Sequence, residues 1–526
     1  MCGFFEGLPV KAAEKLEVQF EDMSLPIPIN DLSDWVEGMS IPNSIRELSE
    51  WAQNEGPETE LSSWLNLLDL ESRAELAKLL KAPLIKDRSM AREILKSWFG
   101  RQLLDEVSDL VRLDDDSTGA IVFDTLERLL ENQPEVTTID LLEKLPGKSI
   151  YLDLDAFLQV ANRWRAELSN QQQLALDLRS LPSSSEKTSD FRELYGVIEE
   201  SFPQKETLSS AHRAEPLSLD IWKPSLGSSP RSSWIVFMPG WGGAPDHFHW
   251  LARNLSQHGW PVILLEHPGS DAAAVRELLK GRRSAPGAEV IPDRLADLYS
   301  VLKAKEDGKL NVPGEKLVLM GHSLGALTAF FAAGAIPEPG LDKRCEKALD
   351  ALSLTNLSQF MQCQMVDVRL PEQELIPSMQ AIVGINSFGS LLWPSRGGAK
   401  ISIPVLLSGG TYDLITPALS EQLGLLQSTK PNKLSRTLLI EGASHFSPIR
   451  VKGQVENASG EDLFQLGEAF VGEQPLAVQN LLGMQIIRFL EGFEAGKSTE
   501  SLLKKKENKL NYYLLNHSNV ERILEN

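Results

Sequence analysis

Residues Leu317 to Ile336 read LVLMGHSLGALTAFFAAGAI. The apolar run Leu317 to Met320 predicts a short buried strand, and the small and apolar residues Ala326 to Ala333 predict a helix. Between them, Gly321-His322-Ser323-Leu324-Gly325 predicts a sharp strand-to-helix turn with Ser323 at its tip. The reason for the spacing is steric. A serine held at such a tip has a strained backbone, and side chains two residues to either side would collide across the turn, so Gly321 and Gly325 omit them. The turn lifts the hydroxyl off the sheet edge and sets the Leu324 amide at a helix N-terminus, where it can face a developing oxyanion. A membrane-spanning helix of about twenty apolar residues is the competing reading. Two glycines, a histidine and a serine close to its start fit that alternative poorly.

The composition sets outer bounds. A chain of 526 residues is too long for one ordinary domain, and two or three are expected. A net charge of -21 argues against nucleic acid and anionic membrane surfaces as partners, because both would repel the chain on average. It suits neutral small-molecule substrates. The three cysteines, Cys2, Cys345 and Cys363, make no metal-ligand spacing. Cys345 and Cys363 would pair in an oxidising compartment and stay as buried thiols in the cytosol. The opening MCGFFEGLPVKAAEK carries no complete secretory signal, which predicts a cytoplasmic protein as the sequence stands. Val10-Lys11-Ala12-Ala13 has the form of a cleavage-site tail, so export follows if the true start lies upstream.

Residues 1–180 predict a mostly helical N-terminal domain. Leu16, Val18 and Phe20 alternate as in one short strand. Helical spacing follows in Leu103, Leu104, Val107, Leu110 and Val111, and again in Phe157, Val160, Ala161, Trp164 and Leu168. Pro83, the run Asp114 to Gly119, Pro134 and Pro146-Gly147 separate the segments as turns. Residues 181–190, LPSSSEKTSD, predict a linker or surface loop. In residues 191–500 the texture changes to short apolar runs: Leu217 to Trp222, Trp234 to Met238, Val262 to Glu266, Leu317 to Met320, Ala381 to Ile385, Val405 to Ser408 and Thr437 to Ile440. Polar or helical stretches lie between them, and that alternation predicts an α/β fold, a doubly wound, mostly parallel sheet covered by helices on both faces. Residues 501–526 predict a C-terminal helical tail, with Lys504 to Lys506 on a solvated face.

In such sheets the ligand site lies at the carboxyl ends of the strands. A serine nucleophile needs a base, since its hydroxyl is protonated at neutral pH. His445 follows the run Thr437 to Ile440 in the turn Glu-Gly-Ala-Ser-His-Phe and is the best placed of the eight histidines. His322 adjoins Ser323, but its side chain should point away from the hydroxyl. His247 and His249 suggest a metal pair with no third ligand nearby, and no metal or organic cofactor is expected. The base needs a carboxylate to hold its tautomer. Asp413, in the loop after Val405 to Ser408, fits, with Asp367 as the substitute. After Met238 comes Pro239-Gly240-Trp241-Gly242-Gly243, which lacks both the dinucleotide spacing and a P-loop ending. Gly240 and Gly242 shape a loop whose Trp241 amide would be the second oxyanion donor beside Leu324. The chain order Ser323, Asp413, His445, each behind a different predicted strand, is the order of α/β-hydrolases.

These residues resemble the dienelactone hydrolase and platelet-activating-factor acetylhydrolase-like branch of the α/β-hydrolases. The resemblance rests on the Gly-His-Ser-Leu-Gly elbow, His267-Pro268-Gly269-Ser270-Asp271, Arg294 with Asp297, Gly410-Thr411-Tyr412-Asp413 and Ser444-His445-Phe446. Leu16 to Phe20 followed by Pro28 to Trp35 resembles the domain of unknown function that precedes this hydrolase in cyanobacterial proteins, often behind a signal peptide. Relatives commonly carry His-Gly where this chain has Pro239-Gly240. The resemblance implies serine carboxylester hydrolysis of a small-molecule or lipid ester, short-acyl phospholipids among the candidates. The apolar segment 341–377, with Cys345 and Cys363 near its ends, would be a lid or acyl-chain pocket stiffened by a disulfide, or an extra helix packed on the core. The alternative function is a binding scaffold with the hydrolase fold, in which the helical domain docks a protein partner and catalysis is weak or absent.

Overall fold

The computed structural model describes residues 12–20, 23–38, 73, 77, 80, 81, 83–85, 111–113, 120–133, 136–153, 169–171, 173–181, 201–225, 230–279, 288–348, 357–371, 376–413, 415–449, 474–497, 504–507 and 510–525. The chain divides into two compact units, one of residues 1–165 with 278–284, the other of residues 166–277 and 285–526.

In the first unit, β1 (Lys15–Phe20) pairs antiparallel with β2 (Met23–Pro28) and parallel with β6 (Ser149–Asp153), and β4 (Val111–Leu113) closes the order β2-β1-β6-β4. A separate ladder joins β3 (Pro83–Ile85) to β5 (Val136–Thr137). Leu16, Val18, Ile27, Leu113 and Ile150 bury one face against Ile29, Leu32 and Val36 of α1 (Ile29–Gly38). Two further helices are α2 (Ala120–Asn132) and α3 (Thr138–Lys144); a reciprocal Thr137–Asp140 capping box starts α3. The expectation of one short strand in this domain is corrected: beside its helices, six strands stand among the described residues. They are two to six residues long, too brief for alternation to register. β2 also carries Pro26 and Pro28, which an edge strand tolerates because it has no ladder to complete on its open side. Pro83, expected in a turn, opens β3. Of the two helical patterns, Leu103 to Leu110 and Phe157 to Leu168 lie outside the described residues, and Val111 is in β4.

The second unit is built on a ten-stranded sheet. Its strands are β7 (Gln204–Leu208), β8 (Leu217–Trp222), β9 (Ser233–Met238), β10 (Val262–Leu265), β11 (Lys316–His322), β12 (Met379–Ile385), β13 (Val405–Gly410), β14 (Arg436–Ile440), β15 (Lys505–Glu507) and β16 (Leu510–Leu515). Their order is β15-β16-β14-β13-β12-β11-β9-β10-β8-β7. The six strands from β10 to β14 run parallel, with antiparallel pairs at both edges. All seven apolar runs read from the sequence are strands of this sheet.

Those runs are continuous because both faces are buried. Trp234, Val236 and Met238 of β9 and Leu317 and Leu319 of β11 enter one core, while Ile235, Phe237, Val318 and Met320 enter the other. Alternate residues go to opposite faces. The second core is covered by α4 (His249–Gln257), and the first by α5 (Ile291–Glu306) and by α6 (Leu324–Ala332), the helix behind Ser323. Between β11 and β12 come α7 (Leu341–Ala348) and α8 (Leu357–Cys363), joined by a Cys345–Cys363 disulfide. Buried Ser358 and Gln362 of α8 donate to the carboxylate of Glu421, and Gln362 accepts from the Leu391 and Leu392 amides. The described part of the segment 341–377 is thus a cross-linked helix pair packed on the core.

Two boundaries move. Leu174 and Leu178, four apart on one helical stripe, are buried in this unit's core, so the division falls near residue 165 rather than 180. Of the linker 181–190 only Leu181 is among the described residues. The C-terminal stretch is not a helical tail. β15 and β16 extend the sheet beyond β14, Tyr512 and Tyr513 are fully buried on its two sides, and among the described residues of the stretch only α10 is helical; α9 (Pro475–Glu494) precedes them and α10 (His517–Leu524) follows. Leu510-Asn-Tyr-Tyr-Leu-Leu carries aromatic residues that favour a strand, and Lys504 to Lys506 belong to the edge rather than to a helix face.

Removing residues 501–526 should therefore abolish cooperative unfolding or yield insoluble protein, because β14 would lose its antiparallel neighbour. A dispensable tail would leave the melting temperature within about 2 °C of the full chain in a calorimetric scan.

Candidate active site

The elbow is built by close approach. Ser323 has φ 52° and ψ -119°, a left-handed conformation rare for a residue with a side chain. A Cβ on Gly321 would stand 2.2 Å from the Gly325 carbonyl carbon, and one on Gly325 would stand 1.9 Å from the Met238 carbonyl oxygen at the end of β9. The glycines thus serve two contacts: Gly321 clears the turn itself, and Gly325 lets α6 press against the neighbouring strand. The Ser323 amide donates to the Ile385 carbonyl at 2.9 Å, fixing the tip against the end of β12.

Asp413 and His445 meet beyond the ends of β13 and β14. His445 Nδ1 lies 3.0 Å from Asp413 Oδ2. The carboxylate is fully buried and takes four further hydrogen bonds: Oδ1 accepts from the Ile415 and Thr416 amides, Oδ2 from Asn386 Nδ2 and the Thr416 hydroxyl, both at 2.6 Å. Burial alone would push the Asp413 carboxyl up, but the His445 charge and these donors outweigh it and hold it below the usual carboxylate range. Gly410 permits the loop to close, since a Cβ there would fall 1.9 Å from the Ala443 carbonyl. Asp367, the alternative acid, is exposed on the segment after α8.

His322 does turn away from a role as base. Its Nε2 donates to the His445 carbonyl at 3.0 Å, its ring centroid is 4.8 Å from that of His445, and Phe248 packs on its other side. The residue before Ser323 therefore fastens the loop that carries His445. Burial, with the charge of His445, lowers the His322 imidazole to about 3, so it is neutral. The loop Pro239 to Gly243 sits directly behind: a Cβ on Gly240 would be 3.0 Å from Ser323 Cβ and 3.1 Å from His322 Nδ1. Gly242 donates to Ser270 O and Gly243 to Gly240 O, whereas the Trp241 amide has no backbone acceptor among the described residues. Leu324 opens α6, where amides lack an intrahelical acceptor.

A second buried cluster lies on α5. Asp297 Oδ1 accepts from Arg213 Nε and lies 2.7 Å from His212 Nε2; Oδ2 accepts from Arg213 Nη2 and lies 2.9 Å from His267 Nδ1. Arg294, one turn earlier, donates to Ser270, Thr328 and the Pro239 carbonyl. Burial, with the Arg294 charge, lowers His267 to about 4. His249 pairs with Asp220 at 2.6 Å, and His247 Nδ1 accepts from the Ala244 amide. No group of three or more metal-ligating side chains assembles among the described residues, and no helix among them is long and apolar enough to cross a membrane.

Asn386, Thr416 and the anchoring role of His322 were not read from the sequence. Asn386 was accessible to the same reasoning as Asp413, as a polar residue just past an apolar strand; its own φ of 49° carries no sequence signal. Thr416 stands three residues after Asp413, the separation at which an aspartate caps its own turn.

Residues 233–339, from β9 through the elbow helix, match the family model described as alpha/beta hydrolase fold. Together with the sheet order and the strand-end loops, this defines the second unit as an α/β-hydrolase fold. Residues 36–153 match a model described as Alpha/beta hydrolase of unknown function (DUF1400). No curated protein matches the chain.

The buried histidines make stability depend on pH. The folded values of about 4 for His267 and about 3 for His322 lie below the ordinary 6.5, so between these values the unfolded chain binds protons that the folded chain refuses. Stability should be full above about pH 6.5 and fall as pH drops towards 4. Asp413, also held low, adds its own loss only at more acid pH. In denaturant titrations from pH 7 to 4.5, His267→Asn should flatten the dependence by at most ~1.4 kcal/mol per pH unit. An unchanged slope would mean that His267 is not neutral in the fold.

Proposed function

We propose that the protein is a serine carboxylester hydrolase with Ser323 as nucleophile, His445 as base and Asp413 as the acid that orients it. One observation carries this reading: a buried Asp413–His445 pair whose loop is fastened by His322 to the strained turn that presents Ser323. In the mechanism, Ser323 Oγ attacks the ester carbonyl as its proton passes to His445 Nε2, with the imidazolium steadied through Nδ1 by Asp413. The Leu324 and Trp241 amides receive the oxyanion. Collapse of the tetrahedral intermediate expels the alcohol, which takes the proton from His445. Water, deprotonated by His445, then attacks the acyl-enzyme and frees Ser323. Asn386 and Thr416 act on Asp413: by saturating its oxygens they keep it ionised and pointed at Nδ1.

The substrate is a neutral or lipid-like ester. The strongly acidic chain disfavours anionic substrates by long-range repulsion, and the resemblance of the motifs to the platelet-activating-factor acetylhydrolase-like branch adds short-acyl phospholipids as candidates. A fluorophosphonate probe should label the wild type and leave Ser323→Ala unlabelled; equal labelling would refute the assignment. Asp413→Asn should lower kcat on a p-nitrophenyl ester roughly 10³- to 10⁴-fold, while Asp367→Asn should stay within about twofold. A panel of such esters of increasing acyl length then reads the depth of the acyl site.

A further inference from the structure

Arg294 is an unusual occupant of a core. It is 1% exposed, yet among the described residues no carboxylate comes within ion-pair distance of it. Of the acids beside it on α5, Asp293 is exposed and pairs with Arg213, and Asp297 is engaged by Arg213, His212 and His267. The three groups that accept from Arg294 are all neutral. A buried cation with neutral partners is costly, and an apolar side chain of similar volume would usually serve stability better. Burial lowers the guanidinium to about 9, which leaves it charged at neutral pH.

Its acceptors belong to three separate segments, and each segment leads to the oxyanion donors. Nη2 binds the Pro239 carbonyl, two residues before Trp241. Nη1 donates to Ser270 Oγ at 2.7 Å, and the Ser270 carbonyl in turn accepts from the Gly242 amide at 2.8 Å, so the loop is held on both sides of Trp241. Nε donates at 3.0 Å to Thr328 Oγ1, which itself donates to the Leu324 carbonyl at 2.8 Å in the first turn of the elbow helix. A planar fork of five fixed N–H donors spreads over three divergent acceptors, whereas an ammonium gathers its three donors on one nitrogen and does not reproduce that spread.

We propose that Arg294 is the positioning residue of the oxyanion hole, setting the Trp241 amide against the Leu324 amide by tying their two loops and the Ser270 loop to one guanidinium. The proposal rests on the serine-hydrolase reading and concerns a group that acts through others without touching substrate. A misplacement of an oxyanion donor by about 1 Å costs on the order of 10²-fold in rate with little change in ground-state binding.

The test compares wild type with Arg294→Lys, which keeps the charge and loses the fork, and with the milder Thr328→Val, which removes one strut and preserves shape. Arg294→Lys should lower kcat roughly 10- to 100-fold and Thr328→Val about threefold to tenfold, with KM within about twofold and the pH dependence of kcat/KM unmoved, since His445 is untouched. Amide hydrogen exchange, which needs no activity, should quicken in peptides covering residues 239–243 and not in those covering β13 and β14. Turnover within twofold of wild type in folded Arg294→Lys, or a loss falling mainly on KM, overturns the proposal. Unchanged exchange at residues 239–243 also overturns it. If wild type and Ser323→Ala react alike with fluorophosphonate, the serine reading fails and takes the catalytic role with it, while quickened exchange would still show that Arg294 holds the loop.

Discussion

The close approach of the elbow helix to the end of β9 is the constraint from which the arrangement around Ser323 follows. With no side chain at Gly325, α6 can lie against the Met238 carbonyl, and with none at Gly321 the chain can double back within four residues. The serine absorbs the remaining strain in its own φ. This happens where the connection order reverses: β9 leads to β10 on one side, and the next parallel strand, β11, lies on the other. The loops after β9 and β11 stand at the carboxyl end of the sheet beside this reversal, the place where α/β sheets bind ligands.

The second unit holds two buried acid and histidine clusters, and their chemistry differs through their partners. Asp413 is saturated by neutral donors plus one histidine, so its charge is available to support a proton on His445. Asp297 is matched by the Arg213 guanidinium as well as by two histidines, so its charge is already neutralised. The first is suited to proton transfer and the second to holding loops in place. His322 links the elbow to the His445 loop, and as a buried neutral ring it donates one hydrogen bond without adding charge near Ser323.

Much of the second unit was legible because its strands are buried on both faces. Runs such as Trp234 to Met238 are apolar at every position, and a glycine, proline or asparagine follows each run within two residues, so strand ends and the residues at them could be read locally. The edge strands escaped. β7 is polar at most positions, and β15 is a lysine pair with a glutamate, so neither has an apolar signature; their pairing is decided by backbone ladders to β8 and β16. The short strands of the first unit were hidden for the related reason that two to six residues of alternation carry little weight beside long helical spacing.

The amino-acid order alone determined the parallel sheet, the Gly-x-Ser-x-Gly turn, and the positions of Ser323, Asp413 and His445 behind three separate strands, because each of these is written in residues close together in the chain. What only the tertiary structure decided are contacts between segments far apart: Asn386 on Asp413, His322 on the His445 carbonyl, Arg294 across three loops, and the Cys345–Cys363 pairing. Hydrogen-bond partners of a buried polar side chain depend on which loops the sheet order brings together. A local pattern of residue types carries no record of that order.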